Sequence, residues 1–230
     1  MNPSPEVLGS VDQGGVPSRD RSGRVLLPCG DSAFLVELPG LSAVIAYYRG
    51  LTGVSGDRPL PAGIVDVVPA ARTVLVTFDR DMIRPSEVRD WLEAAEPAAV
   101  VAGTGREVTL EVSYGGPDLA ETAQFLGMST ADLVELHTSS EWTAAFSGFA
   151  PGFAYLVTTH ERLRVPRRNT PRTAVPAGSV GLAGEFSGVY PRSSPGGWQL
   201  IGTTTAALWD ASKAEPALIR PGDRVRFVEA

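Results

Sequence analysis

Short apolar runs separated by glycine and proline dominate the chain from Thr143 to its end. Each run has about the length of one strand and is bounded by residues that favour turns. The clearest runs are Phe153–Val157, Ser179–Ala183, Trp198–Gly202 and Val225–Val228. A turn at Pro221, Gly222 and Asp223 leads into the last of them. Strands spaced in this way predict a closed or nearly closed β-barrel.

The first half of the chain instead alternates strand-like and helix-like segments. The strand-like segments are Arg24–Pro28, Ala33–Leu38, Ile64–Val68 and Val74–Phe78. A turn at Gly30 and Asp31 makes a hairpin of the first two. One helix, ending near residues 50–53, is predicted by the apolar stripe Leu41, Val44, Ile45 and Tyr48. Pro85 opens a second helix, and the order ββαββα predicts a small sheet with helices on one face.

A strand at Glu107–Ser113 opens the second half, and two short helices follow it. Asp118 with Glu121, and Ser129 with Asp132, have the spacing of capping boxes. Both pairs therefore mark helix starts.

The change of pattern near Pro97–Gly105 indicates a domain boundary. We predict an α+β protein with a small, ferredoxin-like α+β domain at residues 24–104 and a β-barrel domain at residues 105–230. Residues 1–23 are rich in Pro, Gly, Ser and Asp without periodicity, which predicts a flexible tail.

Charge and composition exclude several classes of protein. With 20 basic and 26 acidic residues the net charge is −6, so the chain lacks the positive surface of a nucleic-acid binder. Cys29 is the only cysteine, so no intrachain disulfide can form and no thiolate metal site is recognised. We expect Cys29 to be a small buried residue beside a turn.

No apolar run approaches the roughly 18 residues that a membrane span requires, and the N-terminus has no hydrophobic signal core. We therefore expect a cytoplasmic protein. A phosphate loop, a nucleophile elbow and the common zinc signatures are all missing from the sequence.

Two histidines are available for chemistry. His137 falls near a predicted helix end, where an imidazolium would suit the helix dipole, with a ligand or proton-transfer role as the alternative. His160 lies in a polar run that predicts an exposed turn. Nothing in their spacing indicates a nucleophile beside either ring.

A basic region stands out in the acidic chain. Between residues 151 and 205 six arginines face only two acids. Guanidinium groups suit carboxylates and phosphates, so Arg167, Arg168 and Arg172 are candidates for an anionic substrate or an acidic partner, with a solvated basic loop as the alternative. If these arginines hold an anion, replacing Arg168 or Arg172 should reduce activity far more than stability.

Glycines in the same region permit backbone conformations that other residues resist. Pro-Gly-Gly before Trp198 predicts a positive φ at Gly196 or Gly197. The further candidates for a substrate-binding or composite site are Gly178, Ser179, Gly196, Gly197 and Trp198.

Aromatic residues alternate around Pro151. Phe149, Phe153 and Tyr155 have the spacing of one strand face. Core packing is one interpretation. The other is a pocket, or a contact between subunits, formed by these three residues with Pro151 and His137.

Three stretches taken together resemble the allophanate-hydrolase-subunit-1 family: GFAPGFAYL at 148–156, PRRNTPRTAVPAGSVGLAG at 166–184 and YPRSSPGGWQLIGTT at 190–204. Shorter matches, including SYGGPDL at 113–119 and PGDRVRF at 221–227, extend the likeness over almost all of residues 24–230. Thr203 and Ser147 depart from the usual pattern, where an arginine and an aliphatic residue are common.

The resemblance implies an N-terminal α+β domain and a C-terminal cyclophilin-like barrel. It also implies ATP-dependent opening of 5-oxo-L-proline to L-glutamate by a 5-oxoprolinase, in which this chain is the B subunit and works with the A and C subunits. ATP is then used by the complex, with its site elsewhere, and the chain alone is inactive. The family also contains carboxyltransferase halves of urea carboxylases and the histidine-kinase inhibitor KipI, so both functions remain alternatives.

Overall fold

The computed structural model describes residues 24–53, 58–98 and 105–230. They form two compact units that divide between residues 99 and 100. The predicted flexible tail at residues 1–23, and the predicted boundary after residue 104, lie outside the described residues. Within the described ranges no helix is long and apolar enough to cross a membrane.

The first unit is an antiparallel sheet with two helices. Its sheet has the strand order β1-β2-β4-β3. In chain order its elements are β1 (Val25–Pro28), β2 (Ala33–Glu37), α1 (Leu41–Thr52), β3 (Ile64–Pro69), β4 (Thr73–Phe78) and α2 (Pro85–Ala94). The predicted hairpin and element order are confirmed, whereas the ferredoxin-like class of this unit stays a prediction.

The core of the first unit follows from alternation in the strands and a stripe on each helix. Phe34 and Val36 of β2 are buried beside Val74 and Val76 of β4. On α1 the buried face passes through Tyr47, not through Tyr48 as the spacing predicted. Tyr47 takes this place because its ring is buried while its hydroxyl donates to the Leu92 carbonyl oxygen at 2.8 Å.

Cys29 is exposed, so the prediction of a buried cysteine is wrong. It follows the last residue of β1, and its N–H closes the hairpin turn on the Ala33 carbonyl. A turn at the end of a hairpin leaves the side chain in solvent.

The second unit is built on a closed seven-stranded barrel, which confirms the predicted barrel. Around the barrel the strand order is β10-β7-β6-β13-β5-β12-β9. A separate two-stranded sheet pairs β11 with β8. Its strands are β5 (Glu107–Tyr114), β6 (Trp142–Ser147), β7 (Ala154–Val157), β8 (Arg172–Val175), β9 (Ser179–Ala183), β10 (Phe186–Val189), β11 (Ser194–Gly196), β12 (Gln199–Thr203) and β13 (Arg224–Glu229).

Parallel pairing of β5 with β13 joins the two ends of the unit. Val108, Leu110 and Val112 of β5 alternate inward, and Val225 and Phe227 of β13 do the same. Side chains therefore fill the barrel interior as a packed core.

Helices α3 (Leu119–Phe125) and α4 (Thr130–Ser139) follow β5 and pack on this core through Ala123 and Leu133. The capping box at Ser129 and Asp132 is confirmed, since each side chain bonds the other residue's backbone N–H at 3.1 Å. Asp118 precedes α3 but its side chain makes no capping hydrogen bond, so the second predicted box is wrong. Its carboxylate binds elsewhere.

Two further sequence predictions fail in the loops. Phe149 and Phe153 do not share a strand face, because β7 begins only at Ala154 and a turn precedes it. Neither Gly196 nor Gly197 has a positive φ, since Gly196 lies in the extended strand β11.

Candidate functional site

Asp118 is the centre of a buried ion cluster beside the barrel. Arg168 Nη1 and Arg172 Nη2 each donate to Asp118 Oδ1 at 2.7 Å. The Leu200 N–H donates to Oδ2, also at 2.7 Å. Only 2% of the Asp118 side chain is exposed, against 31% and 23% for the two arginines. One carboxylate therefore fixes two arginines of the basic loop and one strand of the barrel.

The chemistry of this cluster explains the missing cap. Burial raises the pKa of Asp118, but hydrogen bonds from Arg172 and Leu200 and the charges of Arg172 and Arg168 outweigh it. The net result is a pKa below the ordinary aspartate value, so the carboxylate is ionised at neutral pH. An ionised, buried carboxylate needs charged partners more than it needs the helix N–H groups.

Arg168 and Arg172 are therefore already paired by the protein itself. The main-chain N–H of Arg168 also donates to the Gly197 carbonyl at 2.7 Å, which holds the loop against the turn before β12. These contacts replace the solvated-loop picture for both residues. Loss of Arg172 should now affect folding as well as activity, contrary to the expectation from sequence.

Arg167 differs from its two neighbours because its side chain is exposed. It is close enough to lower the pKa of both Tyr155 and Tyr190 against the larger, opposite effect of burial. Of the three candidate arginines, Arg167 alone combines exposure with no ion pair in the described part of the chain. It is the cation best placed to meet an anion from solution.

The glycine and serine candidates support the backbone around this loop. Gly178 has φ 80° and bonds Tyr190 and Thr204 through its own N–H and carbonyl. Ser179 is buried in β9. At Gly196 a β-carbon would meet carbon atoms of the Tyr190 ring at 2.9 and 3.0 Å. Gly196 is therefore required for space, whereas Gly197 has no such contact.

An aromatic cluster lies beside β7, β10 and the loop before β12. Phe153 and Trp198 are buried with ring centroids 5.3 Å apart, and Tyr155 lies 5.0 Å from Phe153. Phe149 is 56% exposed and packs edge-on to Phe153 at 5.3 Å. Pro151 is exposed in the same turn. Four of the aromatic candidates thus come together, which the predicted strand face explained only in part.

Phe149 has φ 68°, the one positive value for a non-glycine residue in the described ranges. A bulky residue in this region of backbone space is strained. Strain of this kind gathers at functional positions, so the exposed Phe149 ring is a candidate contact surface.

His137 does not belong to this cluster. It is fully buried in α4, where Tyr114 Oη lies 2.7 Å from Nδ1 and Ser187 Oγ lies 3.0 Å from Nε2. Burial lowers the pKa of His137 to about 3, so the ring is neutral. The prediction of an imidazolium on the helix dipole is wrong, because the ring points into the barrel core instead of to solvent. His160 is exposed beside a 3-10 turn, as expected.

A cavity of about 410 Å³ adjoins the ion cluster, between α3, the basic loop and β12. Arg167, Arg168, Thr122, Phe125 and Gln199 are among its lining residues. Within residues 24–53, 58–98 and 105–230 no group of three or more His, Cys, Asp or Glu side chains could hold a metal ion.

Sequence reasoning missed Asp118, Thr122 and Gln199 as members of this site. Asp118 lies in the SYGGPDL motif, which was a signal, but its position three residues before Glu121 favoured a capping role. Thr122 and Gln199 carry no local signal. They face the cavity only because α3 and β12 are adjacent in the folded barrel.

Comparison with known proteins identifies the class. A family model described as the carboxyltransferase domain, subdomain C and D, matches residues 25–219. The chain belongs to this family, and the resemblance seen in the sequence motifs is confirmed.

Two relatives within it carry one particular name. The 5-oxoprolinase B subunit of Escherichia coli O157:H7 is 51% identical over 174 residues, covering 72% of this chain and 78% of that protein. The 5-oxoprolinase B subunit of Haemophilus influenzae is 37% identical over 206 residues, covering 88% of this chain and 96% of that protein.

Two more distant matches have longer chains. The crystal structure of TTHA0988 superposes with a TM-score of 0.72 at 34% identity and covers 86% of this chain. The present chain spans 39% of that chain. The urea amidolyase of Saccharomyces cerevisiae is 41% identical over 64 residues, or 26% of this chain and 3% of that protein.

Proposed function

We propose that this chain is the B subunit of an ATP-dependent 5-oxoprolinase, which converts 5-oxo-L-proline to L-glutamate together with the A and C subunits. The observation that carries the proposal is the 51% identity to a relative that bears the name of this 5-oxoprolinase component, over 72% of this chain. An almost full-length relative of the same name matches at 37% identity.

The side chains of the second unit support a role as one part of a larger enzyme. The buried imidazole of His137 is neutral but enclosed, and the Asp118 carboxylate is occupied by two arginines. Neither group can act as a base on a substrate from solution. We therefore assign the missing catalytic groups to the partner proteins, and ATP to a site elsewhere in the complex.

The surface that we assign to the composite site joins Arg167 with the exposed ring of Phe149 and the aromatic cluster beneath it. Arg167 supplies a cation, which a carboxylate or a phosphorylated lactam requires for binding and for stabilisation of developing charge. The C subunit of the enzyme completes this surface in the proposal. The two-domain division with a cyclophilin-like barrel is part of the same proposal.

Reconstitution tests the proposed function. We expect 5-oxoproline-dependent ADP release from the A, B and C subunits together, and none when any one of them is omitted. The purified chain alone should neither open 5-oxoproline nor hydrolyse ATP. Full activity of the A and C subunits without this chain, or turnover by this chain alone, would contradict the proposal.

A second candidate is the carboxyltransferase half of a urea carboxylase. The family description and the 41% identity to a yeast urea amidolyase over 64 residues favour it. This function needs a biotin-bearing partner to deliver the carboxyl group. Carboxyl transfer from such a partner to urea, in the absence of 5-oxoproline turnover, would select it over the first candidate.

A further inference from the structure

The cavity beside α3 contains a concentration of polar atoms without partners. In the described part of the chain, six buried side-chain nitrogen or oxygen atoms have no hydrogen-bond partner. Three of the six belong to residues that line this cavity: Thr122 Oγ1, Arg168 Nε and Gln199 Oε1. Buried polar groups are nearly always satisfied, so three such atoms around one cavity need an explanation.

The other polar atoms of two of these side chains are held in place. Arg168 uses Nη1 for Asp118, and Gln199 Nε2 donates to the Pro166 carbonyl at 3.1 Å. These bonds fix which edge of each side chain remains unused. Arg168 therefore offers an N–H donor and Gln199 offers a carbonyl acceptor, while the 2% exposed Thr122 offers a hydroxyl that can donate or accept.

A donor and an acceptor side by side match an amide group, which presents a carbonyl oxygen and an N–H in the same arrangement. Exposed Arg167 adds a cation at the same cavity, and the 62% exposed ring of Phe125 adds an apolar wall. Glu121 also lines the cavity, and Asp118 already neutralises part of the charge on Arg168. The charge therefore suits a small monoanion better than a polyphosphate.

We propose that this cavity recognises a γ-lactam carrying a carboxylate, with Gln199 accepting from the lactam N–H and with Arg168 and Thr122 donating to the lactam carbonyl. This inference rests on the proposed function and deepens it, since 5-oxoproline belongs to this chemical class. Arg167 binds the carboxylate, and Phe125 covers the ring. The three polar atoms lie beneath the cavity surface, so neighbouring side chains shift when the ligand enters.

The volume of the cavity agrees with this assignment. At about 410 Å³ it falls within the range of roughly 300–1,000 Å³ that is usual for small-molecule sites. The recognition residues come from three elements whose positions the Asp118 cluster fixes: α3, the basic loop and β12. Asp118 is a positioning residue in this arrangement.

Substitution of Thr122 separates recognition from structure. Thr122→Val keeps the shape of the side chain and removes the hydroxyl, so the melting temperature should stay the same or rise, because an unsatisfied buried group is lost. Binding of 5-oxo-L-proline should weaken about tenfold. Thr122→Ser, which keeps the hydroxyl, should bind nearly as well as wild type.

Gln199→Leu is the second variant, and we expect about a tenfold loss of affinity. Gln124→Leu is the matched control, because Gln124 is exposed on the same helix as Thr122 and should leave binding unchanged. Affinity is measured by saturation-transfer NMR with 5-oxo-L-proline on the full chain, and KM is measured on the reconstituted complex. 2-Pyrrolidinone, which lacks the carboxylate, and L-proline, which lacks the lactam, should both bind more weakly.

Wild-type affinity and KM in both Thr122→Val and Gln199→Leu would overturn the inference. So would a lowered melting temperature in Thr122→Val, since that would show that the hydroxyl has a structural partner. Failure of the proposed function is a different result: the wild-type complex would not consume 5-oxoproline. In that case, loss of 5-oxo-L-proline binding in both variants would still support the cavity.

Discussion

A single buried carboxylate determines the conformation of the basic loop. Asp118 binds residues that lie 50, 54 and 82 positions further along the chain, and each contact is 2.7 Å long. Removing one partner from a buried ion cluster leaves charge in a poorly solvated place, which costs far more than the loss of a surface pair. Two arginines that resemble free anion ligands in the sequence are therefore part of the structure.

We expect Arg172→Ala to lower the free energy of unfolding by about 2 to 4 kcal/mol, because Asp118 keeps only part of its compensation. Arg164→Ala is the matched control from the same loop region. Arg164 pairs with Glu185 at 3.4 Å but is 59% exposed, so its loss should cost less than about 1 kcal/mol. Urea unfolding of both variants measures the difference, and equal stabilities would contradict the structural role of Arg172.

At the level of the elements, the small sheet of β8 and β11 covers part of the aromatic cluster. Gly196 lies in β11 directly against the buried Tyr190 ring. Burial is also the main cause that raises the pKa of Tyr190. The strand can approach the ring this closely only because residue 196 has no side chain.

Gly196→Ala should destabilise the chain by about 1 to 3 kcal/mol, since its methyl group overlaps the Tyr190 ring and hydroxyl. Gly197→Ala is the adjacent control. A β-carbon there meets its nearest atoms, on Pro171, at an ordinary 3.7 Å, so little change is expected. Thermal melts of the two variants decide the matter, and a tolerated Gly196→Ala would mean that Tyr190 can move without cost.

For the molecule as a whole, the barrel closes around a neutral histidine. His137 contacts Tyr114 of β5 and Ser187 of β10, and its ring centroid lies 4.3 Å from that of Phe227 on β13. Protonating the ring in this position would place a charge inside the core. Stability of the barrel and the ionisation of His137 are therefore coupled.

The coupling has a definite sign. The pKa of His137 is about 3 in the folded chain and 6.5 in its unfolded reference, so the unfolded chain binds the extra proton first as the pH falls. Stability is therefore lost below pH 6.5, by about 2 kcal/mol between pH 7 and pH 5. This loss continues until the pH reaches about 3.

Urea unfolding at pH 7 and pH 5 measures this effect by tryptophan fluorescence. A Trp91→Phe background leaves Trp142, Trp198 and Trp209, which all lie in the barrel unit. His137→Gln in this background should lose most of the dependence. A wild-type chain of equal stability at both pH values would show that the unfolded state does not gain the proton.

The sequence by itself determined the elements and the family of this protein. Apolar alternation and glycine and proline spacing predicted the closed barrel, and the Ser129 capping box marked α4 correctly. These features depend on residues a few positions apart, so a local pattern is enough to predict them. The motifs between residues 148 and 204 led to the family that the comparisons confirm.

Only the tertiary structure decided what the polar residues do. The sequence suggested a cap for Asp118, a cation for His137 and a positive φ for Gly196 or Gly197, and the folded chain gave each a different role. In every case the deciding partner is distant in sequence or depends on burial: two arginines for Asp118 and the barrel core for His137. The charge state and contacts of a polar group follow from its surroundings, and only closure of the barrel creates those surroundings.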